Sequence, residues 1–161
     1  MPREIERKYL VDTGAWRPDP ARGTSYRQGY LSADPARVVR VRRAGERGWL
    51  TIKGPNTGVE RVEFEYPIPA TDADALLDQL CLRPLVEKTR YLEPWDGRTW
   101  EVDVFSGENA GLVTAEVELA SPTDAVRPPP WVGTDVSDDP RYFNANLVAH
   151  PYREWRRDRP G

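Results

Sequence analysis

The chain alternates charged and apolar residues one for one in segment after segment, and the charged positions repeat their sign. Glu4-x-Glu6, Arg40-x-Arg42, Glu63-x-Glu65, Lys88-x-Arg90, Glu101-x-Asp103 and Glu116-x-Glu118 all have this form. Residues two apart point to the same side of a β-strand, about 6.6 Å from each other, whereas on a helix they diverge. The apolar residues take the other face: Ile5, Tyr9 and Val11; Val39 and Val41; Val62, Phe64 and Tyr66; Trp100, Val102 and Val104; Ala115, Val117 and Leu119. Lys8 extends the Glu4 and Glu6 face, and Lys53 ends a strand of its own.

Eight segments carry this two-residue period: 3–11, 25–31, 38–43, 48–53, 60–66, 85–93, 99–105 and 113–119. Sixteen Pro and 12 Gly punctuate the chain between them, which marks a β-rich fold. The stretch from Gly45 to Gly48 and the dipeptide Asp96-Gly97 read as hairpin turns. Thr71 is the expected N-cap of a helix over 71–81, with Ala73, Leu76, Leu77 and Leu80 at helical spacing. A second helix is expected over 142–149, ahead of Pro151. Residues 122–140, with Pro128-Pro129-Pro130, read as irregular or extended, and 153–161 as a flexible tail. With 161 residues and no repeat or shift of composition, one domain over 1–161 is expected.

An antiparallel sheet with one wet face also alternates, so these charges could be the solvated outside of a sandwich. Like charges one pleat apart repel, however, and call for something of opposite sign between them. A hard divalent cation satisfies a pair of carboxylates through oxygen ligation. A polyphosphate satisfies Arg and Lys pairs, by forked hydrogen bonds and point charges respectively. All three lysines, Lys8, Lys53 and Lys88, lie on or at the end of these faces, while the other 20 basic residues are Arg.

Composition narrows the partners. A net charge of −3 and a pI near 5.3 argue against a nucleic-acid binder. No apolar run is long enough to span a membrane, and the N-terminus lacks a signal-peptide core, so a cytoplasmic location is expected. One cysteine, Cys81, permits no internal disulfide and reads as buried and inert. One histidine, His150, makes a histidine-built metal site improbable and reads as a cap or surface group.

Glu4-Ile5-Glu6-Arg7-Lys8 resembles the Glu-x-Glu-x-Lys signature of the CYTH superfamily, the triphosphate tunnel metalloenzymes. The later elements follow in the family's order: Arg40-Val41-Arg42, Thr51-Ile52-Lys53, Glu63-Phe64-Glu65, Lys88-Thr89-Arg90, Glu101-Val102-Asp103 and Glu116-Val117-Glu118. The segments 26–31 and 139–147 also look like the family, so the resemblance spans roughly 2–152.

The resemblance implies a mainly β (α+β) fold: an eight-stranded antiparallel β-barrel forming a charged tunnel, with a few covering helices. Lys8, Arg40, Arg42, Lys53 and Arg90 would then hold phosphate oxygens. Glu4, Glu6, Glu116 and Glu118 would hold one or two Mg2+ or Mn2+, assisted by Glu63, Glu65 and Asp103. The candidate catalytic residues are Glu6, orienting a water for in-line attack; Lys88, neutralising or protonating the leaving phosphate; and Tyr30, a proton acceptor or a gate. For Lys88, simple phosphate binding is an equal alternative.

The family supports several reactions on one tunnel. Short length and the lack of a recognisable base reader favour hydrolysis of tripolyphosphate to pyrophosphate and phosphate. A class IV-type adenylyl cyclase, a nucleoside or thiamine triphosphatase, and a non-catalytic polyphosphate-binding module are the alternatives. The substrate partner is in each case a small triphosphate, with the oligomeric state open.

Overall fold

Every segment with the two-residue period is a strand in the computed structural model, which describes residues 2–156. The strands are β1 (Arg3–Val11), β2 (Thr24–Ser32), β3 (Val38–Ala44), β4 (Arg47–Lys53), β5 (Glu60–Ile68), β6 (Val86–Trp95), β7 (Arg98–Ser106) and β8 (Val113–Glu118). They run β5-β4-β3-β2-β6-β7-β8-β1, and β1 pairs back onto β5 to close an all-antiparallel barrel. Two-residue turns make the β3–β4 and β6–β7 hairpins. In the second of them Asp96 (φ 48°) and Gly97 (φ 76°) both take the left-handed region, as the turn matching strand twist requires.

β5 covers only Arg3, Glu4 and Ile5 of β1. The remaining edge is taken by a strand the sequence does not announce, β9 (Val132–Asp135), which pairs with Tyr9 and Val11. It lies within 122–140, expected to be irregular; the free edge of β1 supplies the backbone partners that its own side chains do not signal.

The barrel is built inside out, with its charged faces inward, so apolar packing is moved to the outer surface and one end. α1 (Ala70–Gln79) lays Ala73 and Leu77 on Val41 and Cys81 outside β3 and β4. It begins after Pro69 rather than at Thr71: Pro69 holds φ at −55° and its carbonyl takes the Ala73 amide at 3.0 Å. Leu80 falls beyond the helix and is exposed. Gly48 of β4 permits the close seating, since a Cβ there would lie 2.9 Å from both Ala73 Cβ and the Ile68 carbonyl. Gly48→Val is therefore expected to lower stability by about 2 kcal/mol in a chemical melt, by prising α1 off the barrel.

Trp16, Trp100 and Trp131 cover the β1–β8–β7 face together with Tyr9, Val102, Ala115 and Val117. A third cluster fills one end of the barrel, where Tyr30, Val38, Val86, Phe105 and Leu112 meet Leu147 and Val148 of α2 (Asn146–Ala149) and Tyr152 of α3 (Tyr152–Trp155). The continuous helix expected over 142–149 is instead a 3-10 turn at Pro140–Tyr142 followed by α2. The Asp139 carboxylate caps that turn, and the Tyr142 carbonyl accepts from Lys8 Nζ at 3.0 Å instead of extending a helix. His150 is the exposed C-cap of α2, and Cys81 is buried. Of the expected tail, 157–161 lie outside the described residues. Among the described residues no helix is long and apolar enough to cross a membrane.

Candidate active site

Residues opposite one another in an antiparallel ladder share a face. Following partners round the barrel, Lys8 meets Glu116, Glu116 meets Glu101, Asp103 meets Arg90 and Lys88 meets Tyr26. The path continues with Gln28 opposite Arg42, Tyr30 opposite Arg40, Arg40 opposite Thr51, Lys53 opposite Glu63, and Arg61 opposite Glu4. Strand parity thus carries every expected site residue to the inner wall. Lys8, Tyr30, Arg40, Lys53, Lys88, Arg90, Asp103 and Glu116 are buried there, while Glu65 and Glu118 are exposed.

The inner residues form two linked groups. In the deeper one, Asp103 lies 2.7 Å from Lys88 Nζ and accepts from Arg90 Nε and Nη2 at 2.7 and 2.9 Å. Arg90 Nη1 donates to Glu101 at 2.8 Å. The Lys88 and Asp103 side chains are 1% and 0% exposed, so an unpaired charge there would be severely unfavourable. Burial pushes the Lys88 ammonium down to about 7, aided by Arg90 and Arg42 and opposed by Asp103. Burial alone would raise Asp103, but Lys88 and Arg90 bring it below its ordinary value. Tyr26 separates two cations, with the Arg42 and Arg90 guanidiniums 4.9 and 4.8 Å from its ring centre. Burial next to Arg40 and Arg90 lowers Arg42 to about 10.

The second group lines a cavity of about 370 Å³ that holds Glu4, Glu6, Lys8, Tyr30, Arg40 and Lys53. That volume suits a small ligand. Lys53 Nζ donates to both Glu4 oxygens at 3.0 Å and lies 3.3 Å from Glu63. Lys8 Nζ is 3.3 Å from Glu116. Arg40 donates to Thr51 at 3.2 Å and to Glu65 at 3.4 Å. Burial would raise Glu4, yet Lys53 and a hydrogen bond with Glu63 bring it to about 2; burial and the same hydrogen bond put Glu63 at about 7.

Glu6 is the least neutralised carboxyl of the cavity. Among the described residues it has no ion pair, and burial followed by the charges of Glu116 and Glu4 holds its carboxyl well above the usual range. Glu4, Glu6 and Glu116 place three carboxylates on the adjacent strands β1 and β8, the oxygen-donor chemistry that a hard divalent cation takes. Among the described residues no three acidic groups converge closely enough to hold a metal ion, and Glu4 and Glu116 are paired with Lys53 and Lys8.

Several residues of the wall escape a search for charged pairs. Asn144 Oδ1 accepts from Lys88 Nζ at 3.1 Å and Gln28 Nε2 at 3.2 Å, joining the deep group to the cavity. Gln28, buried at the centre, also donates to the Tyr30 hydroxyl at 3.2 Å and accepts from Arg42 Nε at 3.0 Å. Parity alone would have included Tyr26, Gln28, Thr51 and Arg61, and Glu101, read as the partner of Asp103 in a charged pair, joins the wall through Arg90. Asn144 lies in the segment 139–147 that resembles the family, but no charge or strand period marks it as a site residue.

A closed barrel whose interior carries paired cations and carboxylates defines a class of protein that binds a polyanion together with a hard cation. A model of the CYTH domain family matches residues 2–152, and the chain belongs to that family. It is 46% identical over 156 residues to an inorganic triphosphatase of Acetivibrio thermocellus, covering 97% of this chain and 99% of the relative. An inorganic triphosphatase of Nitrosomonas europaea is 39% identical over 150 residues, covering 90% and 96% of the two chains. A solved structure of an inorganic triphosphatase superposes with a TM-score of 0.64 at 37% identity, covering 90% of this chain and 97% of that one.

Proposed function

We propose that the protein is an inorganic triphosphatase that cleaves tripolyphosphate to pyrophosphate and phosphate within the barrel. The observation that carries this is the buried Lys88–Asp103–Arg90 cluster behind a cavity lined by Lys8, Arg40 and Lys53, in a chain so similar to inorganic triphosphatases. Lys8, Arg40, Lys53 and Arg90 bind the phosphate oxygens by exchanging carboxylate partners for phosphate ones, and Arg42 binds them with donors that no carboxylate holds among the described residues. Glu4, Glu6, Glu116 and Glu118, with Glu63, Glu65 and Asp103 from other strands, are the groups that would hold Mg2+ or Mn2+. When bound, the metal supplies charge neutralisation of the triphosphate and activation of water. Lys88, whose ammonium burial makes a stronger acid, supplies a proton to the departing phosphate oxygen. Asn144 and Asp103 hold its ammonium in place, and Tyr30 orients Gln28. Cys81 as the lone, buried thiol suits a reducing cytoplasm.

A substrate panel tests this: tripolyphosphate, ATP and thiamine triphosphate, each with Mg2+ or Mn2+, assayed for phosphate, pyrophosphate and cyclic AMP. Tripolyphosphate is expected to give the highest kcat/KM, with no turnover in EDTA. ATP belongs in the panel because Pro35, Pro55 and Phe143 line the cavity and offer an organic group apolar contact. Cyclic AMP as the main product would replace the hydrolase reading with a cyclase, and binding without turnover would leave a polyphosphate-binding module.

A further inference from the structure

Five of the six expected inner cations meet a carboxylate within 4 Å: Lys8, Arg40, Lys53, Lys88 and Arg90. Among the described residues, two inward guanidiniums have no such ion pair. One is Arg42, which rests on Gln28 and the Tyr26 ring. The other is Arg61, the first inward position of β5, beside the connection at 54–59.

Arg61 lines the same cavity as Glu4, Lys8, Arg40 and Lys53. It stands opposite Glu4 in the β1–β5 ladder, but the Glu4 carboxylate is engaged with Lys53. Arg61 Nε and Nη2 donate to the Gly54 carbonyl at 3.2 and 3.0 Å. That contact fixes the plane of the guanidinium and occupies two of its five donors. A cation oriented in advance, with donors to spare on a cavity wall, is suited to an incoming oxyanion. Arg40, on the same cavity wall, has its Nε buried without a hydrogen-bond partner.

We propose that Arg61 is a substrate-binding residue, holding the outermost phosphoryl group of a linear polyphosphate at the rim of the cavity. Its consequence is selectivity for chain length. On this assignment two phosphoryl groups held by Lys8 and Arg40 leave Arg61 unused, whereas a third engages it. The inference rests on the triphosphatase reading and assigns the rim contact within it.

The test compares wild type, Arg61→Gln and Arg61→Lys by calorimetric titration with tripolyphosphate and with pyrophosphate in EDTA, and by KM and kcat for tripolyphosphate with Mg2+. Arg61→Gln is expected to weaken tripolyphosphate binding and raise KM about 10-fold, as for the loss of a charge-assisted hydrogen bond. Pyrophosphate affinity and kcat should stay within about twofold, and Arg61→Lys should recover part of the loss. Equal loss for both anions, or no loss for either, overturns the assignment. A lowered melting temperature with unchanged affinities also overturns it, since Arg61 would then only brace Gly54. Wild-type protein that neither binds nor cleaves tripolyphosphate overturns the triphosphatase reading along with it; normal wild-type turnover with an unaffected Arg61→Gln variant sinks the rim assignment alone.

Discussion

Asp103→Asn is expected to destabilise the protein by about 3–5 kcal/mol in denaturant melts, because it leaves two cations without their shared anion in a dry interior. The Asp103 side chain has no exposed surface and serves both Lys88 Nζ and the Arg90 fork. Arg90 keeps Glu101 as a second partner, so Lys88 suffers the larger loss. Adding Lys88→Met should therefore recover part of the stability, and the double-mutant cycle measures the coupling. The sign with pH follows from linkage. Asp103 titrates below its ordinary 3.8 in the folded state. Its contribution is thus present above the unfolded value and is lost as pH falls through the lower folded one. Asp103→Asn should flatten the acid limb of the stability profile. A loss under about 1 kcal/mol, with the acid limb unchanged, would mean that the cluster is far better solvated than its burial indicates.

Glu6→Gln should act in the opposite direction on stability while removing activity. Glu6 is a buried carboxyl whose ionisation is opposed by burial and by the charges of Glu116 and Glu4. A carboxyl with a folded value above its unfolded one loses stability as pH rises between the two. Without added metal, Glu6→Gln should therefore be at least as stable as wild type at neutral pH and lose less stability between acid and neutral pH. Turnover with Mg2+ or Mn2+ should fall about 100-fold or more, the size of effect found when a preorganised electrostatic group is removed. Full activity in a folded Glu6→Gln protein would take Glu6 out of both its metal-binding and its catalytic role. A residue that strains the apo protein and serves the reaction is the expected compromise between stability and function.

The placement of charge was largely legible before folding. One residue of slip would have turned all of Glu4, Glu6 and Lys8 to the outer face, so parity and closure of the barrel left little freedom. Two-residue turns kept β3 beside β4 and β6 beside β7, and the two-residue period marked each of the eight strands. β9 was not, since four residues after a proline run carry no period of their own and pair only because β5 leaves part of β1 free. Thr71 looked like a cap on residue type alone, but the chain enters α1 straight from β5 through Pro69.

The sequence by itself determined that charges of both signs must share one face and that the opposite face must be covered, because the two-residue period admits no other sorting. Only the tertiary structure decided which charges neutralise each other. Ion pairs such as Lys53 with Glu4 and Lys8 with Glu116 join different strands, and their lengths depend on barrel tilt rather than on spacing in the chain. Tertiary structure also delivered Asn144 to Lys88 and left Arg61 without an ion pair among the described residues. A net charge of −3 conceals all of this, since a polyanion and its cation are held by opposite charges whose sum is small.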